Sequence, residues 1–124
     1  MISRPMLGMA VEIARLPIKP QPWTPADATE YIRKIAVCDR FTLIPTRHAL
    51  DQMAERSLYT GDVLYILKRG FVLDDGSEST RPGFYKYKVE SRSPNSGSRT
   101  VRVVAIPDAE RCQLKIVTVM WVDD

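Results

Sequence analysis

Histidine occurs once in this 124-residue chain, at position 48, and Arg56 follows eight residues later. Both lie in the stretch TRHALDQMAERSLYTGDVLYILKRG, residues 46–70. An unperturbed imidazole titrates near pH 6.5, so His48 is the side chain best suited to moving a proton at neutrality. A guanidinium is a rigid fork of donors that matches phosphate oxygens. These types suit cleavage of RNA by its own 2′-hydroxyl, which needs proton transfer and charge stabilisation at phosphorus but no metal. His48 would carry the proton and Arg56 the phosphoryl charge. Eight helical residues separate them by about 12 Å, so a bend at the helix end is required to bring them closer. The plainer alternative stays open: His48 bonded to Asp51 or to backbone, and Arg56 capping a carbonyl.

A second group sits later in the chain. Residues 1–80 carry 10 basic and 10 acidic side chains, whereas residues 81–115 carry 8 basic and 3 acidic, a local excess of +5. Lys86, Lys88 and Arg102 belong to this basic segment, with Tyr85 and Tyr87 interleaved. Such a surface attracts phosphate backbones without reading sequence. Tyrosines beside it could stack on a base or donate a hydrogen bond. A solvated face that keeps a small protein dissolved would show the same charges.

Other chemistries lack their residues. One histidine with scattered carboxylates makes no recognisable ligand set, and there is no P-loop or dinucleotide-binding glycine pattern. No metal or other cofactor is expected. Cys38 and Cys112 have a spacing that suits neither a redox pair nor a zinc site, and they read as buried free thiols. Nothing in this usage demands an oxidising compartment, and no apolar run reaches the roughly 20 residues that span a bilayer. A cytoplasmic protein without membrane contact is expected.

The elements that must position these residues follow from periodicity and caps. One domain is the expectation for this length. Residues 1–23 are broken by Pro5, Pro17, Pro20 and Pro22 and read as an irregular arm before a single domain over 24–124. Thr24, Pro25 and Asp27 signal a helix start, with Ala28, Tyr31, Ile32, Ile35 and Cys38 as the buried stripe. Thr46 caps a second helix to about residue 55, with Ala49, Leu50, Met53 and Ala54 facing inward. Thr60 caps a third, whose buried side is Val63, Leu64, Ile66 and Leu67 and whose stop is a left-handed Gly70. Residues 41–44 and 71–73 read as short extended pieces. The segments 84–90, 100–106 and 113–122 alternate or are β-branched, and they read as an antiparallel meander with a surface turn over 91–99.

The HALDQMAER segment followed by TGDVLYILKRG resembles the DUF4258 family of small bacterial proteins. The matching places are His48–Ala49, Gln52–Met53, Arg56 and Gly70, and the resemblance covers residues 41–122. Gln52 stands where an arginine is frequent. That family is similar to the wider RelE-like group, many of whose members are RNA-cleaving toxins built from helices on one face of an antiparallel sheet. The resemblance therefore implies an α+β, RelE-like fold, a metal-independent endoribonuclease of toxin type, and RNA and an antitoxin as partners. The alternative from the residues themselves is a non-enzymatic module that binds RNA or another protein through the basic sheet.

Overall fold

The computed structural model describes residues 18–124. The greater part of the expected irregular arm therefore lies outside the described residues. Three helices pack against a largely antiparallel sheet, an α+β arrangement.

Helix α1 spans Pro25–Ala36. Its start follows the sequence signal: Thr24 Oγ1 accepts the Asp27 N–H at 3.2 Å and proline occupies the first turn. Ala28, Tyr31, Ile32, Ile35 and Ala36 are buried at helical spacing. Trp23, just before the cap, belongs to the same core. Its ring stacks on Tyr87 with centroids 5.5 Å apart, and its backbone N–H donates to the Tyr87 hydroxyl at 2.9 Å. The described end of the arm is thus fastened to the domain rather than separate from it.

Strand β1, Thr42–Pro45, leads directly into α2, Arg47–Arg56. Thr46 Oγ1 accepts the Ala49 N–H, as its position predicts. Ala49 and Met53 face the core, but Leu50 is 44% exposed and Ala54 is exposed as well. The expected inward stripe is therefore narrower than four residues. Of the four expected apolar positions, only Ala49 and Met53 are buried.

Helix α3 spans Thr60–Arg69 and is capped one residue earlier than expected. The Tyr59 N–H donates to the Asp62 carboxylate at 2.8 Å, so Tyr59 and not Thr60 is the boundary residue. Val63, Ile66 and Leu67 are buried. Gly70 ends the helix in extended geometry, φ −77°, which corrects the expected left-handed stop. Its need for glycine is steric. A Cβ there would sit 2.7 Å from Ile66 O and 2.9 Å from both Glu90 O and Val89 Cγ1. The last carbonyls are satisfied from α1 instead, because the Arg33 guanidinium donates to Gly70 O at 2.9 Å and Arg69 O at 3.0 Å.

The remaining strands are β2 (Phe71–Val72), β3 (Ser77–Glu78), β4 (Tyr85–Ser91), β5 (Val101–Asp108) and β6 (Gln113–Trp121). The sheet order is β1-β6-β5-β4-β2, with β3 on β4. The β4–β5–β6 meander is antiparallel as expected, but β1 runs parallel to β6, from Thr42 opposite Gln113 to Pro45 opposite Ile116. A parallel neighbour needs a long connection, and α2 through β5 supplies it.

Register divides the sheet into two faces. Tyr87, Val89, Val101, Val103, Ala105, Leu114, Ile116 and Val119 are buried against the helices in one core. A bulge shifts the β5–β6 pairing: Val104 opposes Thr118 whereas Ala105 opposes Ile116, so Val117 has no partner. Inward positions on β6 are therefore three residues apart at that point, Ile116 and then Val119. No helix of the described residues packs on the other face.

Candidate nucleic-acid interface

The uncovered face can be read row by row from the pairing. Lys88 lies opposite Val104, and Val104 opposite Thr118. Glu90 lies opposite Arg102, and Arg102 opposite Met120. Ile106 lies opposite Lys115, and Lys115 opposite Ile44 of β1. Lys86 shares this face by alternation with Lys88 and pairs with Ser77 of β3. The result is a mixed patch in which Lys115 sits between Ile106 and Ile44, with Val104 and Met120 beyond it and Lys86 and Lys88 on the β4 side. None of these three lysines pairs with a carboxylate among the described residues. Lys88 and Lys115 are exposed.

Arg102 is on the same face but is already engaged. Its Nε donates to Glu90 Oε2 at 2.8 Å, within a half-buried cross-strand pair. The pair is close to neutral as a unit, so the face's positive excess comes from the lysines. Lys115 was not singled out by sequence reasoning. Its signal was present, as a lone charge between Leu114 and Ile116 in an otherwise apolar strand.

The tyrosines are on the opposite side. Tyr87 is 1% exposed, with its ring under Trp23 and its hydroxyl accepting from the chain. Burial pushes its phenol up, opposed by the bond from Trp23. It cannot stack on a base, which corrects the expectation for this residue. Tyr85 is half-buried and packs against the same core. The reason is the alternation itself: whatever places Lys86 and Lys88 outward turns Tyr85 and Tyr87 toward the helices.

An aromatic does reach the open face at its edge. Phe84 lines a small concavity of about 110 Å³ with Ile44, Arg81, Ile106 and Lys115. The Arg81 guanidinium lies 4.0 Å over the Phe84 ring. Arg81 keeps 62% of its side chain exposed and stands 4.0 Å from Asp108. A flat cation stacked on an aromatic presents a plane on which a base can rest.

His48 and Arg56 belong to the helix layer, away from the lysine face. His48 is exposed, and its side chain makes no hydrogen bond among the described residues, with Asp51 or otherwise. Arg56 is turned to a structural task. Its Nη1 donates to Gln52 O at 3.4 Å and its Nη2 to Asp124 Oδ2 at 3.3 Å. Its Nε is buried without a partner among the described residues. The helix stays regular between the two residues, so no bend closes their separation.

A family model for a domain of unknown function, DUF4258, matches residues 46–121, more than half of the chain. The chain belongs to the DUF4258 family. The match starts at the α2 cap and ends at the last residue of β6, so the DUF4258 portion takes in α2, α3 and the β2–β6 sheet but omits α1 and β1. No curated protein and no solved structure matches the chain. No helix among the described residues is long and apolar enough to cross a membrane.

Proposed function

We propose that this DUF4258 protein binds single-stranded RNA on its uncovered sheet face, in line with a kinship to RelE-like proteins. The observation that carries this reading is the placement of Lys86, Lys88 and Lys115 on one sheet face among apolar side chains, without carboxylate partners among the described residues. Lysines track a phosphate backbone, while the Arg81–Phe84 stack at the patch's edge receives a base. Apolar side chains and cations mixed in this way suit a strand whose bases and phosphates both meet the sheet.

Salt-dependent binding tests this. Affinity for a mixed-sequence, dye-labelled single-stranded RNA is followed by fluorescence anisotropy across a salt titration. Each phosphate contact on a single strand contributes a slope near 0.7, so the Lys86→Ala/Lys88→Ala/Lys115→Ala variant should flatten the log–log slope by roughly 2. Equal affinity and slope in the folded triple variant would refute the sheet interface. Binding only to proteins in the same assay series would favour a partner such as an antitoxin on this face.

A second reading, metal-independent RNA cleavage of toxin type, is favoured by one observation: His48 is exposed and its imidazole bonds to no other group among the described residues. It stands apart from the lysine face, and Arg56 is engaged with Asp124. Single-turnover cleavage by the parent and by His48→Ala, with EDTA present, tests it. Loss of turnover with RNA binding retained supports His48 as the proton carrier, and intact RNA with the parent protein ends the reading.

A further inference from the structure

We infer that Cys38 and Cys112 are a thiol/disulfide site that clasps the end of α1 to the start of β6. The two residues are 74 positions apart in sequence, and the fold brings their Sγ atoms to 2.8 Å. Packed non-bonded atoms keep about 3.5–4 Å between carbons, while a disulfide bond is about 2.0 Å. Both side chains are buried, at 8% and 2% exposure.

Backbone bonds hold each cysteine where it is. Cys38 N–H donates to Ile35 O at 3.1 Å, and Cys38 O accepts from Phe41 N–H at 3.0 Å. Cys112 N–H donates to Ala109 O at 3.3 Å, and Cys112 O accepts from Thr42 N–H at 3.0 Å, the bond that starts the parallel β1–β6 pair. Cys112 also holds a left-handed φ of 52°, an arrangement a non-glycine residue adopts only when its surroundings enforce it. The sulfurs therefore meet through two fixed backbones and not through a chance rotamer. The spacing in sequence hid this, because the juxtaposition is made by α1 and the β5–β6 turn converging at one end of the sheet.

The oxidant class is a small-molecule disulfide such as oxidised glutathione. One cysteine thiolate attacks a sulfur of that disulfide, giving a mixed disulfide and releasing one small thiol. The second cysteine, as thiolate, displaces the other small thiol and forms the Cys38–Cys112 bond. Two S–H bonds are lost from the protein, one S–S bond is gained, and the two electrons and two protons end on the two released thiols. Burial, with the contact to Cys38, pushes the Cys112 thiol up to about 11, against the opposing effect of Arg40, which lowers the thiolate fraction available to attack.

The test treats the folded chain with oxidised glutathione and, in a second arm, refolds it from denaturant in the same redox buffer. The expected product is monomeric and lighter by two hydrogens. Its digest contains a Cys38–Cys112 cross-linked peptide, and no thiol titrates after denaturation. Closing so long a loop should raise Tm by on the order of 10 °C, reversibly with dithiothreitol. Cys38→Ala should show neither the bond nor the reversible shift. Two titratable thiols surviving in both arms, or only disulfide-linked dimers, would overturn the site. A bond that forms but lowers Tm would overturn the clasp.

Discussion

Gln52 Oε1 stands 2.8 Å from the Val119 nitrogen and accepts its N–H. The bond answers a problem at the edge of the sheet. β1 runs beside β6 only as far as Ile116, after which the chain turns into α2 and the outer edge of β6 is left without a strand. Thr46 still donates to Ile116 O through both its N–H and its hydroxyl. Val119 lies beyond its reach, and Gln52 covers that N–H from the first helical turns above. An arginine at this place has donors only and could not accept the bond.

Gln52→Ala should therefore leave a buried donor unpaired and cost about 1–3 kcal/mol. Gln52→Glu retains an acceptor and should lose less. Urea unfolding curves for the two variants beside the parent provide the check, with a neutral alanine variant showing that water replaces the side chain.

Acid should loosen the 91–99 loop through Asp62. Burial pushes this carboxyl up, but bonds from the Tyr59 N–H, from the Asn95 side chain and from the Asn95 N–H outweigh it and hold the group below its usual 3.8. A depressed folded pKa means the stabilisation is complete above the ordinary carboxylate range. It is lost as pH falls through the folded value. Asp62→Asn should thus lower stability at pH 7 and flatten the decline below pH 4, measured by thermal melts across pH. An unchanged acid limb would assign that decline to other carboxylates.

Leu67 and Leu50 offer a paired test of the helix faces. Leu67 is fully buried and Leu50 is 44% exposed. Leu67→Ala should cost about 2–5 kcal/mol and Leu50→Ala no more than roughly 0.5 kcal/mol. Denaturant melts of both variants would expose a wrong assignment of α2 if their losses came out equal.

Gly70→Ala should destabilise by about 1–3 kcal/mol although its φ suits any residue, because the added methyl meets two backbone carbonyls within 3 Å. Calorimetry on this variant separates crowding from conformational freedom. A stabilised Gly70→Ala would mean that α3 and β4 part easily.

Much of the frame was legible because local signals governed it. The Thr24 and Thr46 caps and the α1 stripe rest on neighbours within a few residues, and the meander on strands that follow one another in the chain. What was hidden depended on distant partners. Leu50 has the right spacing for a buried face, yet the helix turns it outward and buries Ala49 and Met53. The 91–99 loop has a polar, turn-like composition, but Asp62 draws it in and buries Ser93 and Ser96. The alternation in β4 did reveal which way Lys86 and Lys88 face, and by the same token it excluded Tyr87 from their side. The bulge at Val117 changes the phase of β6 midway, which no reading of alternation alone could place. Lys115 and the sulfur pair needed the strand order before they could be recognised.

The parallel pairing of β1 with β6 also sets an order of events. Thr42 to Pro45 are synthesised early, but their partner residues, Gln113 to Ile116, come after every other strand. During translation β1 must wait, its N–H and C=O groups in water, while α1, α2 and the β4–β5 hairpin can already assemble from local contacts. The sheet closes only once β6 inserts between β5 and β1 and satisfies both at a stroke. A nascent chain stalled after β5 but before residue 113 thus exposes two unpaired strand edges, at β1 and β5, and is the species most prone to capture by a chaperone or by another copy of itself.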